Sequence, residues 1–181
     1  MDFSKLTAYL KTLEEHYGVH GLDLKITKNH QEIYRCMLGS RDYEGKVPVS
    51  ADDLYNIYSA SKVITMTGVM QLIEQGKIGL DDCLDKYLPA FSSMQYATDF
   101  RIGEFPQAWP TSKSPLRPAQ NKIRIHDLMS MTAGMSYDLT AEPIQKVIEE
   151  THGEATTLQL VNAMAKMPLL CEPGTRYSYA L

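Results

Sequence analysis

Apolar positions follow three different spacings along this chain. Phe3, Leu6, Leu10, Leu13 and Tyr17 recur every three or four residues over 2–17, which predicts an amphipathic helix that Gly18 ends. Residues 20–28 and 31–38, HGLDLKITK and QEIYRCML, read as two strands. Asn29-His30 between them reads as a tight turn, so the pair predicts a hairpin. Residues 39–48 form a polar loop. Residues 59–75, SASKVITMTGVMQLIEQ, predict a helix whose apolar positions cover most of its circumference. A helix apolar nearly all round is expected to be buried. Gly76 and Gly79 stop it.

Beyond that helix the pattern breaks into shorter pieces. LDDCLDKYLPAF is a short capped segment, and residues 97–122 carry Pro106, Pro110, Pro115, Pro118 and Trp109. They read as one long irregular loop, of the kind that is functional or disordered in compact domains. Residues 124–131, 141–151 and 156–166 predict three short helices, the last capped by Thr156 or Thr157. Strands come first and a run of helices follows, so the predicted class is α+β. A lone two-stranded hairpin is marginal in water, so its apolar face is expected to need a helix layer or more strands, and the N-terminal helix is expected to pack on it. No repeat, low-complexity tract or linker interrupts the chain. Residues 1–181 read as a single domain, with 1–57 giving the N-terminal helix and first sheet strands and 58–181 the helical region with its active-site loops.

Composition narrows the function classes. The 181 residues suffice for a real core, and the formal charge is −4. No block of like charge appears, so nucleic acid and membrane surfaces are not expected partners. No stretch is long and apolar enough to span a bilayer. The N-terminus MDFSKLTAYLKTLEEHYG has neither the apolar run nor the cleavage site of a signal peptide. Cys36, Cys83 and Cys171 lie far apart and read as reduced thiols. Together these predict a cytoplasmic protein, or a periplasmic or extracellular one if a signal has been removed. The ten methionines read as adaptable core packing.

The candidate chemistry centres on Ser59-Ala60-Ser61-Lys62. Residues three apart on a helix share a face, so Ser59 and Lys62 are expected to be neighbours. A serine hydroxyl is a weak nucleophile and needs a base or a nearby positive charge. The unpaired N–H groups of a helix N-terminus favour developing negative charge as well. Ser-x-x-Lys alone is a weak signal, since about one chance match is expected in a chain of this size. Read alone, the four residues also fit an N-cap serine followed by a solvated lysine. A lysine opening an apolar helix nevertheless calls for a partner. Ser61 reads as a packing residue, and His126 as a structural one. The histidines and cysteines show no metal-ligand spacing, and no Gly-x-Ser-x-Gly elbow is present.

Four segments, in order, resemble the superfamily of serine β-lactamases, penicillin-binding proteins and their related esterases. YSASKVIT resembles its Ser-x-x-Lys box, and GKIGLDDCLDKYLPAF at 76–91 resembles the stretch after that helix. IRIHDLMSMTAGM at 123–135 resembles a segment that usually ends His-Thr-Ser-Gly; here the ending is Met131-Thr132-Ala133-Gly134. EPGTRYSYAL at 172–181 resembles the second catalytic box, Tyr-x-Asn, with Tyr179 on the tyrosine position and Leu181 where asparagine is usual.

The resemblance implies a β-lactamase-like α+β fold, with an antiparallel sheet flanked by helices that is incomplete in these residues. It implies a serine hydrolase working through an acyl-enzyme on an ester, peptide or β-lactam carbonyl. Ser59 would be the nucleophile, and Lys62 and Tyr179 would manage its proton, with no cofactor and no metal. A phenol ionising near pH 10 needs nearby positive charge for that work, and Lys62 could supply part of it. Leu181 in place of asparagine and the expected cytoplasmic location favour ester or peptide substrates over β-lactams. The family's third box, which carries a second oxyanion-hole donor, lies beyond the second box. The alternative expectation is therefore a catalytically incomplete fragment or binding module, whose sheet and site a second chain or a missing C-terminal half completes.

Overall fold

The computed structural model describes residues 1–99, 108–110 and 113–180. It falls into two compact units, Met1–Ser59 and Ala60–Leu181.

In the first unit, helix α1 (Ser4–Tyr17) opens where the Asp2 carboxylate accepts the Ser4 N–H at 2.9 Å. It closes at Gly18, whose φ of 66° lets its N–H and that of Val19 turn back to the carbonyls of Glu14 and Leu13. Strands β1 (Gly21–Lys28) and β2 (Gln31–Gly39) pair antiparallel, from Gly21 opposite Gly39 to Lys28 opposite Gln31. Asn29 and His30 both hold positive φ, 51° and 62°. That geometry marks the two-residue hairpin turn matching the twist of the strands. Arg35 reaches diagonally to Asp23 at 2.7 Å and ties the strands together. The helix packs on the hairpin as expected. Phe3 stacks on Tyr34 with ring centroids 4.6 Å apart, and Thr7 Oγ1 lies 2.7 Å from the Tyr34 hydroxyl.

The second unit opens with helix α2 (Ser61–Glu74). It starts two residues later than the sequence predicts, because Tyr58–Ala60 form a tighter 3-10 turn. The LYNIY segment before it forms no strand. The expected burial of this helix is also not found: no residue of α2 is buried, and Val63 and Ile64 are 70% and 66% exposed. Apolar spacing made the helix, but burial also needs an opposing apolar surface. Here Val69 is the α2 residue that packs against the core.

That core gathers Leu84, Phe91, Met94, Ile123, Ile125 and Leu169. Backbone straps hold its two main contributors together. Leu84 N–H donates to the Ile123 carbonyl at 2.8 Å, Ile125 N–H to Asp82 at 3.1 Å, and His126 N–H to Leu80 at 3.0 Å. The Asp82 carboxylate ends the preceding turn by accepting from Gly79 N–H at 2.7 Å, Lys86 Nζ at 2.8 Å and the Tyr87 hydroxyl. Those three donors hold its carboxyl down to about 2, with Lys86 the largest cause.

Two short strands were not legible as strands. β3 (Gln95–Ala97) pairs antiparallel with β4 (Leu116–Pro118), and β4 lies inside what reads as an irregular loop. Ala97 and Leu169 extend the contact through N–H···O bonds of 3.0 Å, from Ala97 to Leu169, and 2.7 Å, from Leu169 to Gln95. Three residues carry no readable alternation, and Pro115 and Pro118 disguise the second strand. Within the same loop Trp109 is buried and its indole N–H donates to the Asp138 carbonyl at 2.8 Å. The expectation for residues 100–107, 111 and 112 falls outside the described residues.

Helices α3 (Ile125–Met129), α4 (Glu142–Glu150) and α5 (Thr157–Met164) lie within the three predicted stretches. Thr156 caps the last: its hydroxyl accepts from Gln159 N–H, and the Gln159 side chain accepts from Thr156 N–H at 2.8 Å. The result is an α+β architecture with two short antiparallel sheets and flanking helices.

Candidate active site

Lys62 and Tyr179 come together in the second unit. Lys62 sits in the first turn of α2, half-buried. Its Nζ lies over the Tyr179 ring, 5.0 Å from the centroid, and over Tyr137 at 5.6 Å. The two rings stack at 5.6 Å with an interplanar angle of 23°. A cation over aromatic faces is attracted by their quadrupoles.

The backbone that delivers Tyr179 is set by residues from the two later sequence segments. Gly134 has φ of 80°, and a Cβ there would stand 2.7 Å from the Cys171 carbonyl oxygen. Only glycine lets the 131–135 strip and the 169–180 strip lie this close. They are then laced together: Leu170 N–H to Gly134 O at 2.7 Å, Gly174 N–H to Thr132 O at 2.9 Å, and Ser178 N–H to Met131 O at 2.8 Å. Buried Ser178 adds its hydroxyl to the Met135 carbonyl at 3.4 Å. Met131 itself takes φ of 58°, unusual for a side chain of its size.

Asp127 anchors the other end of this strip. Its buried carboxylate accepts from Arg124 N–H at 2.8 Å and from the Thr132 hydroxyl at 3.2 Å. His126 stands between two carboxylates, Nδ1 3.1 Å from Asp81 and Nε2 3.2 Å from Asp127. These are bracing contacts for the loop.

Ser59 is exposed, in the 3-10 turn that closes the first unit. Tyr58 before it holds φ of 44°. That left-handed conformation is strained for an aromatic residue, and such strain clusters at functional sites. Leu181 lies outside the described residues.

Beside Lys62 is a mostly apolar cavity of about 280 Å³, lined by Met66, Leu128, Met131, Met135 and Ala180 among others. A larger cleft of about 490 Å³ in the first unit is lined by His20, Arg41, Asp53 and Tyr55 among others. Within it Arg41 meets Asp53 at 2.9 Å. Among the described residues no cluster of histidine, cysteine and carboxylate side chains suits a metal, and no helix is long and apolar enough to cross a membrane. The three cysteines are unpaired thiols, and burial pushes that of Cys171 up.

Sequence reasoning missed Tyr137. The one signal available was its position three residues after Gly134, just beyond the 123–135 strip that resembles the superfamily.

Comparison with known proteins shows the family and the fold. The family model described as Beta-lactamase matches residues 6–180. Protein Rv1367c of Mycobacterium tuberculosis is 29% identical over 145 residues, 79% of this chain and 34% of its own length. Acyltransferase calJ of Penicillium decumbens is 30% identical over 87% of this chain and 36% of its own length. Among solved structures, EstCE1, a hydrolase with promiscuous acyltransferase activity, superposes with a TM-score of 0.70 at 25% identity, covering 98% of this chain and 43% of that one. The chain thus spans about a third of the length of the curated relatives it matches. Its two short sheets are smaller than the sheet of a typical β-lactamase fold. Its similarity runs to esterase and acyltransferase members of the superfamily, and the chain belongs to the beta-lactamase family.

Proposed function

We propose that this chain carries the nucleophile, the lysine and the tyrosine of a serine acyl-transfer enzyme acting on esters. The observation that carries this reading is the Lys62 ammonium lying over the Tyr179 ring, 5.0 Å from its centroid. A cation beside a phenol favours its phenolate. Tyr179 as phenolate takes the Ser59 hydroxyl proton while Ser59 Oγ bonds to the ester carbonyl carbon. The tetrahedral intermediate collapses, the C–O bond to the leaving alcohol breaks, and the alkoxide takes the proton from Tyr179. Water, or a second alcohol, then attacks the acyl-serine with Tyr179 again taking the proton; the bond from the acyl carbon to Ser59 Oγ breaks, and Ser59 regains the proton from Tyr179. The N–H groups opening α2 are suited to the developing oxyanion.

Esters are favoured over lactams because the relatives supporting the family assignment include a lovastatin esterase, acyltransferases and a hydrolase with acyltransferase activity. The test is hydrolysis of p-nitrophenyl acetate. Tyr179→Phe is expected to lower kcat by about a hundredfold or more, the usual contribution of a positioned general base. Unchanged turnover in that variant would sink the reading.

A second reading has its own observation. Val63 and Ile64, adjacent in the first turn of α2, are exposed apolar residues. Apolar surface concentrated in this way marks a contact surface. On this reading the residues here form an incomplete site that further polypeptide covers and completes. Turnover by the 181-residue chain itself would contradict it.

A further inference from the structure

The cavity beside Lys62 has no part in the proton transfers proposed above, yet residues of the site form its wall. Lys62 lines it while holding its ammonium over the Tyr179 ring. Ser178 and Ala180, on either side of Tyr179 in the chain, line it as well. Met66 stands one turn after Lys62, on the same face of α2. Met131, Ala133 and Met135, every second residue of the strip laced to the Tyr179 segment, join Leu128 of α3 in the wall. Met131 and Ala133 stand where the superfamily's segment usually has histidine and serine, so the wall is apolar at two positions that are usually polar.

The polar side chains of the lining are engaged by the chain itself. The Asp127 carboxylate accepts from Arg124 N–H and the Thr132 hydroxyl. The Ser178 hydroxyl donates to the Met135 carbonyl, and that of Thr65 to the Ser61 carbonyl at 3.2 Å. The surface left for an occupant is aliphatic and thioether, and methionine adapts its shape to what it packs against. A dry apolar cavity of about 150 Å³ takes up benzene, so the 280 Å³ here accommodates an aliphatic chain of about six to eight carbons.

We propose that this cavity is the acyl-chain subsite and that it takes an unbranched aliphatic acyl group of about six to eight carbons. This rests on the acyl-transfer reading above. The leaving alcohol must depart and be replaced by water before Tyr179 takes a second proton, so its side of the site stays open. The acyl group remains on Ser59 through both steps, and a walled apolar space suits the group that stays.

The experiment measures kcat/KM for p-nitrophenyl acetate, butyrate, hexanoate, octanoate and dodecanoate, in the parent and in Met66→Phe, which puts a ring into the cavity. In the parent it is expected to rise about fourfold per methylene as far as hexanoate or octanoate, the gain of a methylene removed from water, and to fall at dodecanoate. Met66→Phe is expected to lower the hexanoate-to-acetate ratio about tenfold. Circular dichroism checks its fold; if it does not fold, Leu128→Ala replaces it, with the optimum expected to move to a longer chain. A flat profile, or a preference that the variant does not move, would overturn the proposal. So would a parallel gain along a series of alkyl acetates, which would put the alcohol in the cavity. Binding is read without turnover by NMR of methyl-labelled methionine against octan-2-one, an uncleaved hexyl ketone. The Met66, Met131 and Met135 signals are expected to shift and that of Met37, in the hairpin, to stay. No shift, or equal shifts with acetone, would overturn the proposal. The expected shifts beside turnover that is absent, or unchanged in Tyr179→Phe, would instead overturn the acyl-transfer reading and leave the cavity as a site for aliphatic chains.

Discussion

Two regions of this chain are comparably rich in apolar residues and meet opposite fates. The segments around Leu84, Ile125 and Leu169 close into a core in which Leu84 is 5% and Leu169 0% exposed. Helix α2, apolar on nearly every side, leaves Val63 70% and Ile64 66% exposed. The first set is tied by hydrogen bonds between partners distant in sequence, Leu84 with Ile123 and Leu169 with Gln95 and Ala97. The second has its own intrahelical hydrogen bonds and little to pack against. Local periodicity is enough to make a helix, whereas burial is decided by which other segments arrive.

Three measurements sharpen that contrast. The largest effect is expected from Leu169→Ala, which would empty a fully buried site and lower stability by about 2–5 kcal/mol in denaturant titration. Asp82→Asn comes next. Because the folded carboxyl is held at about 2, below the ordinary 3.8, the folded state binds this proton less tightly than the unfolded one. The stabilisation is therefore full above about pH 4 and lost as pH falls toward 2. The variant should melt below the parent at pH 7, with the gap closing in acid; a gap that persists at pH 2 would assign the effect to lost packing. The smallest effect is expected from Ile64→Ser, within about 0.5 kcal/mol of the parent. A loss comparable with that of Leu169→Ala would mean that α2 is buried in solution by something that covers it.

The same contrast explains what was legible in the sequence. The α1 helix, the hairpin with its Asn29-His30 turn and the three late helices follow from local signals: spacing, a terminal glycine, a capping threonine. The pairing of β3 with β4 does not, because strands of three residues owe their existence to partners supplied by tertiary packing. At the site, Lys62 and Tyr179 could be named from motif resemblance, and the structure places them together. Tyr137 could not, since nothing in the order of residues states that its ring stacks on Tyr179. Gly134 was visible as the glycine of the 123–135 segment that resembles the superfamily's. The close approach to Cys171 that requires it was not.

The central claim is that Ser59 is the nucleophile, and intact-mass spectrometry after exposure to a small serine-directed phosphonate tests it most directly. The account predicts a single adduct on the parent chain and none on Ser59→Ala. An adduct that survives in Ser59→Ala would contradict it.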